Sequence, residues 1–302
     1  MRLFRTILFA PGNRERMLAK VGKCGADAVV LDLEDSVPLA EKETTRLGIS
    51  GWVERIAADD GAEVFVRVNP LAGVTDFSVA SGAEDIAAAV GLRLTGIMVP
   101  KVEGPDHVRA ADRLLRERER ALGLQPGRVM LIAILENARG VEQALAAASA
   151  DVGDRGFLLA FGAGDYTADL GCEWTRDEFV LDYPRARIAN ASRAAGRERP
   201  LDTVWIRLDD PEGLAASAAR ARALGMFGKA CIHPKQVAVV NEVFTPTEAE
   251  LAHAQEVVVA FGAATARGEA SVTVGGRMVD YPVVAAAERT VALAEAFGTR
   301  KG

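Results

Sequence analysis

The chain has 302 residues, 49% of them hydrophobic and 26% charged, a globular composition long enough for one large barrel or two ordinary domains. A net charge of −6 argues against a general nucleic-acid binder, and the three scattered cysteines, Cys24, Cys172 and Cys231, exclude a C-x-x-C zinc or disulfide framework and fit a reduced, cytoplasmic setting. No run of about eighteen apolar residues occurs, and the apolar stretch Thr6–Ala10 behind Arg2 and Arg5 is too short for a targeting segment, so no membrane association is expected.

Short apolar runs alternate with stretches of helical spacing along the chain. The runs Thr6–Phe9, Ala28–Leu33, Val64–Val68, Gly96–Val99, Met130–Leu135, Phe157–Phe161, Thr203–Ile206 and Lys229–Ile232 read as eight strands. Each is apolar nearly throughout, as parallel strands covered on both faces require. Between them, Asn13 is placed to cap a helix bearing Met17, Leu18 and Val21 on one face. Pro105 opens a second helix ahead of the charged stretch Arg109–Arg120, and the alanine-rich segment Leu214–Leu224 forms a third. Eight β-then-α units predict a closed (β/α)8 (TIM-type) barrel, with an open doubly wound sheet as the alternative. Residues 269–302 break the pattern. Ser271–Val274, Gly275-Gly276 and Arg277–Tyr281 read as a hairpin, and Val283–Phe297 as a final helix. The expected division is a barrel over 1–268 and an extension over 269–302 that contacts a neighbouring subunit.

Polar residues recur where the apolar runs end: Asp32, Glu34 and Asp35, then Arg67 and Asn69, Lys101, Glu136, Asp165 and His233. In a β/α barrel these strand ends converge on the face that carries active sites. Several have a plain structural reading: Asp35 as a helix cap, Lys101 as the partner of a carboxylate, His233 as a hydrogen-bonded loop residue. Glu136 directly follows a six-residue apolar run, and Asp165 lies in Gly162-Ala163-Gly164-Asp165-Tyr166, whose glycines allow close backbone approach. Two carboxylates on successive strands suit Mg²⁺, which takes one or two carboxylates and completes its shell with water and substrate. Spacing alone leaves that reading open. Residues 1–23 hold Arg2, Arg5, Arg14, Arg16, Lys20 and Lys23 against the single acid Glu15, either a solvated basic face or a landing site for a polyanion.

The ordered set Arg5-Thr6-Ile7-Leu8-Phe9-Ala10-Pro11-Gly12, Leu31-Asp32-Leu33-Glu34-Asp35-Ser36-Val37, Val66-Arg67-Val68-Asn69-Pro70, Val99-Pro100-Lys101, Glu136-Asn137-Ala138-Arg139-Gly140, Gly162-Ala163-Gly164-Asp165-Tyr166 and Gly228-Lys229-Ala230-Cys231-Ile232-His233-Pro234 resembles the citrate lyase β-subunit/malyl-CoA (citramalyl-CoA) lyase family of the HpcH/HpaI aldolase superfamily. The resemblance covers essentially the whole chain. It implies a β/α barrel assembled as trimers or hexamers, with Mg²⁺ on Glu136 and Asp165. Arg67 matches the arginine that meets the substrate's oxyanion or carboxylate, and Glu34 and Asp35 match acids near the metal's water shell. The basic segment with Arg5, Arg14 and Lys20 falls where such enzymes hold coenzyme A. Substrate binding falls to Arg67, Glu136, Gly164 and Asp165. Met278-Val279-Asp280-Tyr281-Pro282 resembles the C-terminal motif whose aspartate enters a neighbouring subunit's site, which assigns Asp280 as general acid/base and favours a stand-alone enzyme over a subunit of a complex. Asn137-Ala138 departs from the Thr-Ala of many relatives, which puts the substrate pocket in doubt.

The activity so implied is Mg²⁺-dependent cleavage or formation of a 3-hydroxyacyl-CoA thioester, such as malyl-CoA or citramalyl-CoA, into an acyl-CoA and a 2-keto acid. Two alternatives are a class II aldolase acting on free pyruvate and a citrate-lyase-like subunit or metabolite-binding barrel inactive alone. The free-pyruvate aldolases use a histidine early in the barrel, whereas the first histidine here is His107.

Overall fold

The computed structural model describes residues 3–71 and 81–299. They divide into two compact units, Met1–Asn241 and Glu242–Gly302.

The first unit is built on seven parallel strands: β1 (Thr6–Pro11), β2 (Ala28–Asp32), β3 (Glu63–Arg67), β4 (Gly96–Val99), β5 (Met130–Leu135), β6 (Phe157–Phe161) and β7 (Lys229–Cys231). Their order is β6-β5-β4-β3-β2-β1-β7. The two edges meet through a two-residue segment, because Leu201 bridges Ala160 and Asp202 bridges Lys229, both in parallel. The bonds are short and paired: Leu201 N–H to Leu159 O at 3.0 Å, and Ala230 N–H to Asp202 O at 3.0 Å. The ring therefore closes with eight positions in the manner of a TIM barrel.

The seventh position differs from the expected strand Thr203–Ile206. Pairing falls on Leu201 and Asp202 instead. The later residues send their polar groups to loop partners. Thr203 Oγ1 accepts from Ala163 N–H at 2.9 Å, and Trp205 O accepts from Gln236 at 2.8 Å. Tight closure also needs Gly228, at φ 83°, where a Cβ would lie 1.9 Å from Phe4 O.

Alternate residues point into the ring. Ile7, Val30, Phe65, Met98, Ile132, Ile134, Leu158, Ala160 and Leu201 fill it as one apolar cluster. The same alternation carries Asp32, Arg67, Glu136 and Gly162 to the inward side just above that cluster. Asp32 stands in register with Arg67 across β2 and β3, which sets up their pairing.

The helices of this unit are α1 (Glu15–Val21), α2 (Lys42–Asp59), α3 (Gly82–Ala89), α4 (Pro105–Ala121), α5 (Ala138–Glu142), α6 (Ala144–Ala148), α7 (Ala163–Leu170), α8 (Asp182–Ala194), α9 (Pro211–Ala223) and α10 (Pro234–Phe244), the unit boundary falling within α10. Asn13 does not cap α1. Arg14 holds that position without a capping side chain, and Asn13 Nδ2 donates to Glu41 at 2.7 Å. Behind the ring, Asp202 is fully buried between Arg185 (2.8 Å) and Lys229 (2.6 Å), with Glu178 completing the network at 2.8 Å from Arg185.

The second unit holds α11 (Glu248–Ala266), the antiparallel pair β8 (Val272–Val274) and β9 (Arg277–Val279), and α12 (Tyr281–Phe297). Ala254, Val257, Phe261, Val274, Val279, Val284 and Ala287 form its own small core. The hairpin and last helix are thus as the sequence predicts. α11, which the sequence division at 268/269 leaves with the barrel, groups with them. Among the described residues no helix is long and apolar enough to cross a membrane.

Candidate active site

The C-terminal ends of β1 to β7 frame a cavity of about 240 Å³. Its deep wall is apolar, with Ile7, Phe9, Met98, Ile134, Ala160 and Leu201 among the lining residues. Its rim carries Asp35, Arg67, Glu136, Gly164 and Asp165. Sequence reading placed these rim residues at strand ends, and the barrel brings them together.

Arg67 is fixed from one side. Its Nε and Nη2 donate to Asp32 at 2.6 and 2.7 Å, and Nη1 meets Glu34 at 2.8 Å. The guanidinium carbon lies 5.3 Å from the centre of the Phe9 ring. Burial opposes ionisation of Asp32, but the Arg67 charge and hydrogen bonds outweigh it and hold the carboxyl below its ordinary range. The sequence places Asp32 among the strand-end polar residues without giving it a role. Its register opposite Arg67 was the available signal.

Glu34 does not line the cavity. It is 2% exposed and lies between Arg67 and Lys101, with the ammonium in direct contact. Held by two cations, the Glu34 carboxylate has little freedom to meet substrate directly. Burial nevertheless pushes its pKa up. Lys42 and Asn69 hold the Leu33–Glu34 turn from below: Lys42 Nζ donates to Glu34 O at 2.7 Å, and Asn69 Nδ2 to Leu33 O at 2.9 Å.

Lys101 follows β4 with φ 53°, an uncommon conformation for a residue with a Cβ. That backbone turns its N–H onto Glu136 Oε1 at 2.7 Å and its side chain into the site. The ammonium contacts Glu34, lies 2.9 Å from Asp165 Oδ2 and 3.6 Å from Asp35 Oδ2, and is 4% exposed. Burial works against its charge, yet Glu136 and Glu34 outweigh that and hold it firmly protonated.

Glu136 is 5% exposed, and its pKa is pushed up to about 8, first by burial and then by the charges of Glu34 and Asp165. Its carboxylate fits only because residue 162 is glycine: a Cβ there would stand 2.5 Å from Glu136 Oε2. Gly164, by contrast, has nothing within 4 Å of a hypothetical Cβ, so its face is open. Gly162 caps α7, and Asp165 lies in that helix's first turn. There the backbone N–H groups of Gly164 and Asp165 lack an intrahelical acceptor by geometry.

Asp35, Glu136 and Asp165 thus share one mouth with Arg67, while Lys101 reaches Glu136 and Asp165 and the buried Asp32 and Glu34 hold the two cations from behind. Among the described residues no group of three or more His, Cys, Asp or Glu forms a metal cage. The arrangement fits a hard dication instead: two oxygen donors, Glu136 and Asp165, in a mouth with surplus negative charge, the remaining positions left to water and ligand.

Other expected site residues fall elsewhere. Arg5 precedes β1, at the opposite end of the strands, where it forms a two-pronged pair with Asp27 at 3.0 and 2.7 Å. Arg14 and Lys20 are exposed on α1, and Arg2 lies outside the described residues. Asn137 caps α5 by accepting from Gly140 N–H at 2.7 Å and donates to Glu103 at 2.9 Å, so its departure from the common threonine keeps a capping function. His233 accepts from Lys235 N–H at 3.1 Å, the plain loop role. Asp280 belongs to the second unit. It caps α12, accepting from Val283 N–H at 3.3 Å, and is partly exposed.

The family model for HpcH/HpaI aldolase/citrate lyase matches residues 5–234. The chain is 37% identical to the citrate lyase subunit beta of Leuconostoc mesenteroides over 296 residues, covering 98% of this chain and 94% of that protein. It is 36% identical to an L-malyl-CoA/beta-methylmalyl-CoA lyase of Cereibacter sphaeroides over 312 aligned residues, covering 96% and 94%. Among solved structures it resembles the CitE protein of Mycobacterium tuberculosis in complex with magnesium, acetoacetate and coenzyme A, with a TM-score of 0.73, 31% identity, and 96% and 97% of the two chains covered.

Proposed function

The chain belongs to the HpcH/HpaI aldolase/citrate lyase family, and from that premise we propose that it is a Mg²⁺-dependent carbon–carbon lyase acting on a 3-hydroxyacyl-CoA thioester of the malyl-CoA or citramalyl-CoA type. The observation that carries the reading is the convergence of Arg67, Glu136 and Asp165 at the rim of a cavity with an apolar deep wall, with Lys101 joined to both of those carboxylates. Glu136 and Asp165 are the residues to hold magnesium, which supplies Lewis acidity toward the substrate's hydroxyl and carboxylate oxygens.

The chain's own residues account for the rest. In cleavage, the bond between the hydroxyl-bearing carbon and the carbon next to the thioester breaks. Its electron pair passes to the thioester side as an enolate, and the hydroxyl proton passes to solvent as that oxygen becomes the keto oxygen. Arg67, immobilised by Asp32 and Glu34, stabilises the negative charge that develops on oxygen. The N–H groups of Gly164 and Asp165 face the keto-acid carboxylate. The apolar wall of Ile7, Met98, Ile134 and Leu201 excludes water from the enolate. Asp280, supplied by a neighbouring subunit, protonates the enolate carbon, and a homotrimer or hexamer of cytoplasmic location provides that neighbour. Coenzyme A lies along the exposed basic residues Arg14 and Lys20 of α1. The opposite direction joins the same acyl-CoA and 2-keto acid.

A second reading, a subunit active only within a citrate lyase complex, has one observation behind it. A citrate lyase β subunit aligns over 98% of this chain, so the C-terminal segment does not by itself mark a stand-alone enzyme. The test is condensation by the purified chain: acetyl-CoA or propionyl-CoA with glyoxylate or pyruvate and Mg²⁺, with the thioester products identified by mass. A hydroxyacyl-CoA product from one pair supports the lyase and names its substrates. Failure with every pair, alongside tight binding of a CoA thioester, supports the subunit reading.

A further inference from the structure

Lys101 unites two features that a simple salt bridge does not need. Its backbone occupies a left-handed conformation that a residue with a Cβ rarely adopts, and such strain persists only where the surroundings over-determine it. In return one residue reaches both proposed magnesium ligands by different atoms. Its N–H holds Glu136 Oε1 at 2.7 Å, and its Nζ lies 2.9 Å from Asp165 Oδ2. The same ammonium contacts Glu34 and faces Asp35 at 3.6 Å, almost completely out of solvent. An ammonium in that position sits among carboxylate oxygens as a resident monovalent cation.

We propose that Lys101 is the positioning residue of the metal site and an internal competitor for it: its ammonium neutralises the carboxylates when the dication is absent and contends with the dication for Asp165. The proposal rests on the reading that Glu136 and Asp165 hold the metal. The backbone N–H keeps Glu136 aimed in either state, while Glu34 stays with the ammonium and retains it near the site when Asp165 is given over to the metal. The built-in competition weakens dication binding and keeps the metal-free chain folded.

The test is dication binding to the full chain by calorimetry with Mg²⁺ and by electron paramagnetic resonance with Mn²⁺, together with melting temperature in EDTA. Lys101→Met removes the ammonium and retains the N–H and stem. Its Mn²⁺ affinity is expected to rise by at least about tenfold, since one positive charge has left the neighbourhood of the dication, and its melting temperature in EDTA is expected to fall. Lys101→Arg, which retains the charge, is expected to stay within a few-fold of the wild type in Mn²⁺ affinity. Should Lys101→Met not fold in EDTA, it is prepared with Mn²⁺ throughout and compared by the chelator concentration that strips the metal. An unchanged or weakened affinity in folded Lys101→Met overturns the competition. Absence of dication binding in the wild type overturns instead the metal-site reading on which it depends.

Discussion

Replacing Glu136 by glutamine preserves shape and the acceptor for Lys101 N–H while removing the charge that burial, Glu34 and Asp165 disfavour. In the metal-free protein burial and the neighbouring carboxylates push the carboxyl up to about 8, from 4.5 for an unperturbed glutamate. The folded pKa lies above the unfolded one, so between those values the folded state holds a proton that the unfolded state has released. Metal-free stability therefore falls as pH rises through that window and levels off above pH 8, a slope of about 1.4 kcal/mol per pH unit. The accumulated penalty is about 3 kcal/mol at neutral pH and about 5 kcal/mol above the folded pKa. Glu136→Gln lacks this penalty. In urea titrations with EDTA, the variant should be the more stable protein, by about 1 kcal/mol near pH 5.5 and by about 4 to 5 kcal/mol near pH 8.5. Added Mg²⁺ should stabilise the wild type increasingly with pH and leave the variant unchanged. A stability difference independent of pH, or a variant less stable than the wild type at the higher pH, would refute the electrostatic account of this site.

Further expectations follow from the same geometry. Asp32→Asn removes the charged anchor of Arg67, and kcat should fall by about 10- to 100-fold with a smaller change in KM, read in steady-state kinetics. Gly162→Ala places a methyl 2.5 Å from Glu136 Oε2. The variant should lose about 1 to 3 kcal/mol of stability and most of its Mg²⁺ affinity, measured by thermal melting and calorimetry. Lys229→Met leaves Asp202, which lines the cavity, with Arg185 alone in a fully buried network and should cost about 3 to 5 kcal/mol in urea denaturation. Asp280→Ala should leave Mg²⁺ binding intact and lower turnover by at least about 100-fold; near-full activity would remove Asp280 from the mechanism.

The legibility of this fold in its sequence followed the strength of local signals. Runs such as Met130–Leu135 and Phe157–Phe161 are long, apolar and bounded, and they form strands with those limits. The seventh position was misplaced because closure there uses only Leu201 and Asp202, too short a segment to leave a periodic pattern, while the more apolar Thr203–Ile206 beside it makes loop contacts. Asn13 looked like a cap because its residue type is right, but a cap depends on backbone geometry, and a glutamate 28 residues away claims its amide. The rim residues were legible because strand ends in a parallel ring must converge. Lys101 as the hub of the site was not, since its position depends on a positive φ that nothing in Val99-Pro100-Lys101 announces. Arg5 lies before the first strand, so the strand direction carries it to the other end of the ring, where it pairs with Asp27.

Keto-acid release from the purified chain given malyl-CoA, methylmalyl-CoA or citramalyl-CoA, with Mg²⁺ and with EDTA, is the decisive measurement. Glyoxylate or pyruvate is expected from at least one thioester, dependent on Mg²⁺ and lost in Glu136→Ala. Release that persists in EDTA, or that survives the substitution, would contradict the Mg²⁺-dependent reading.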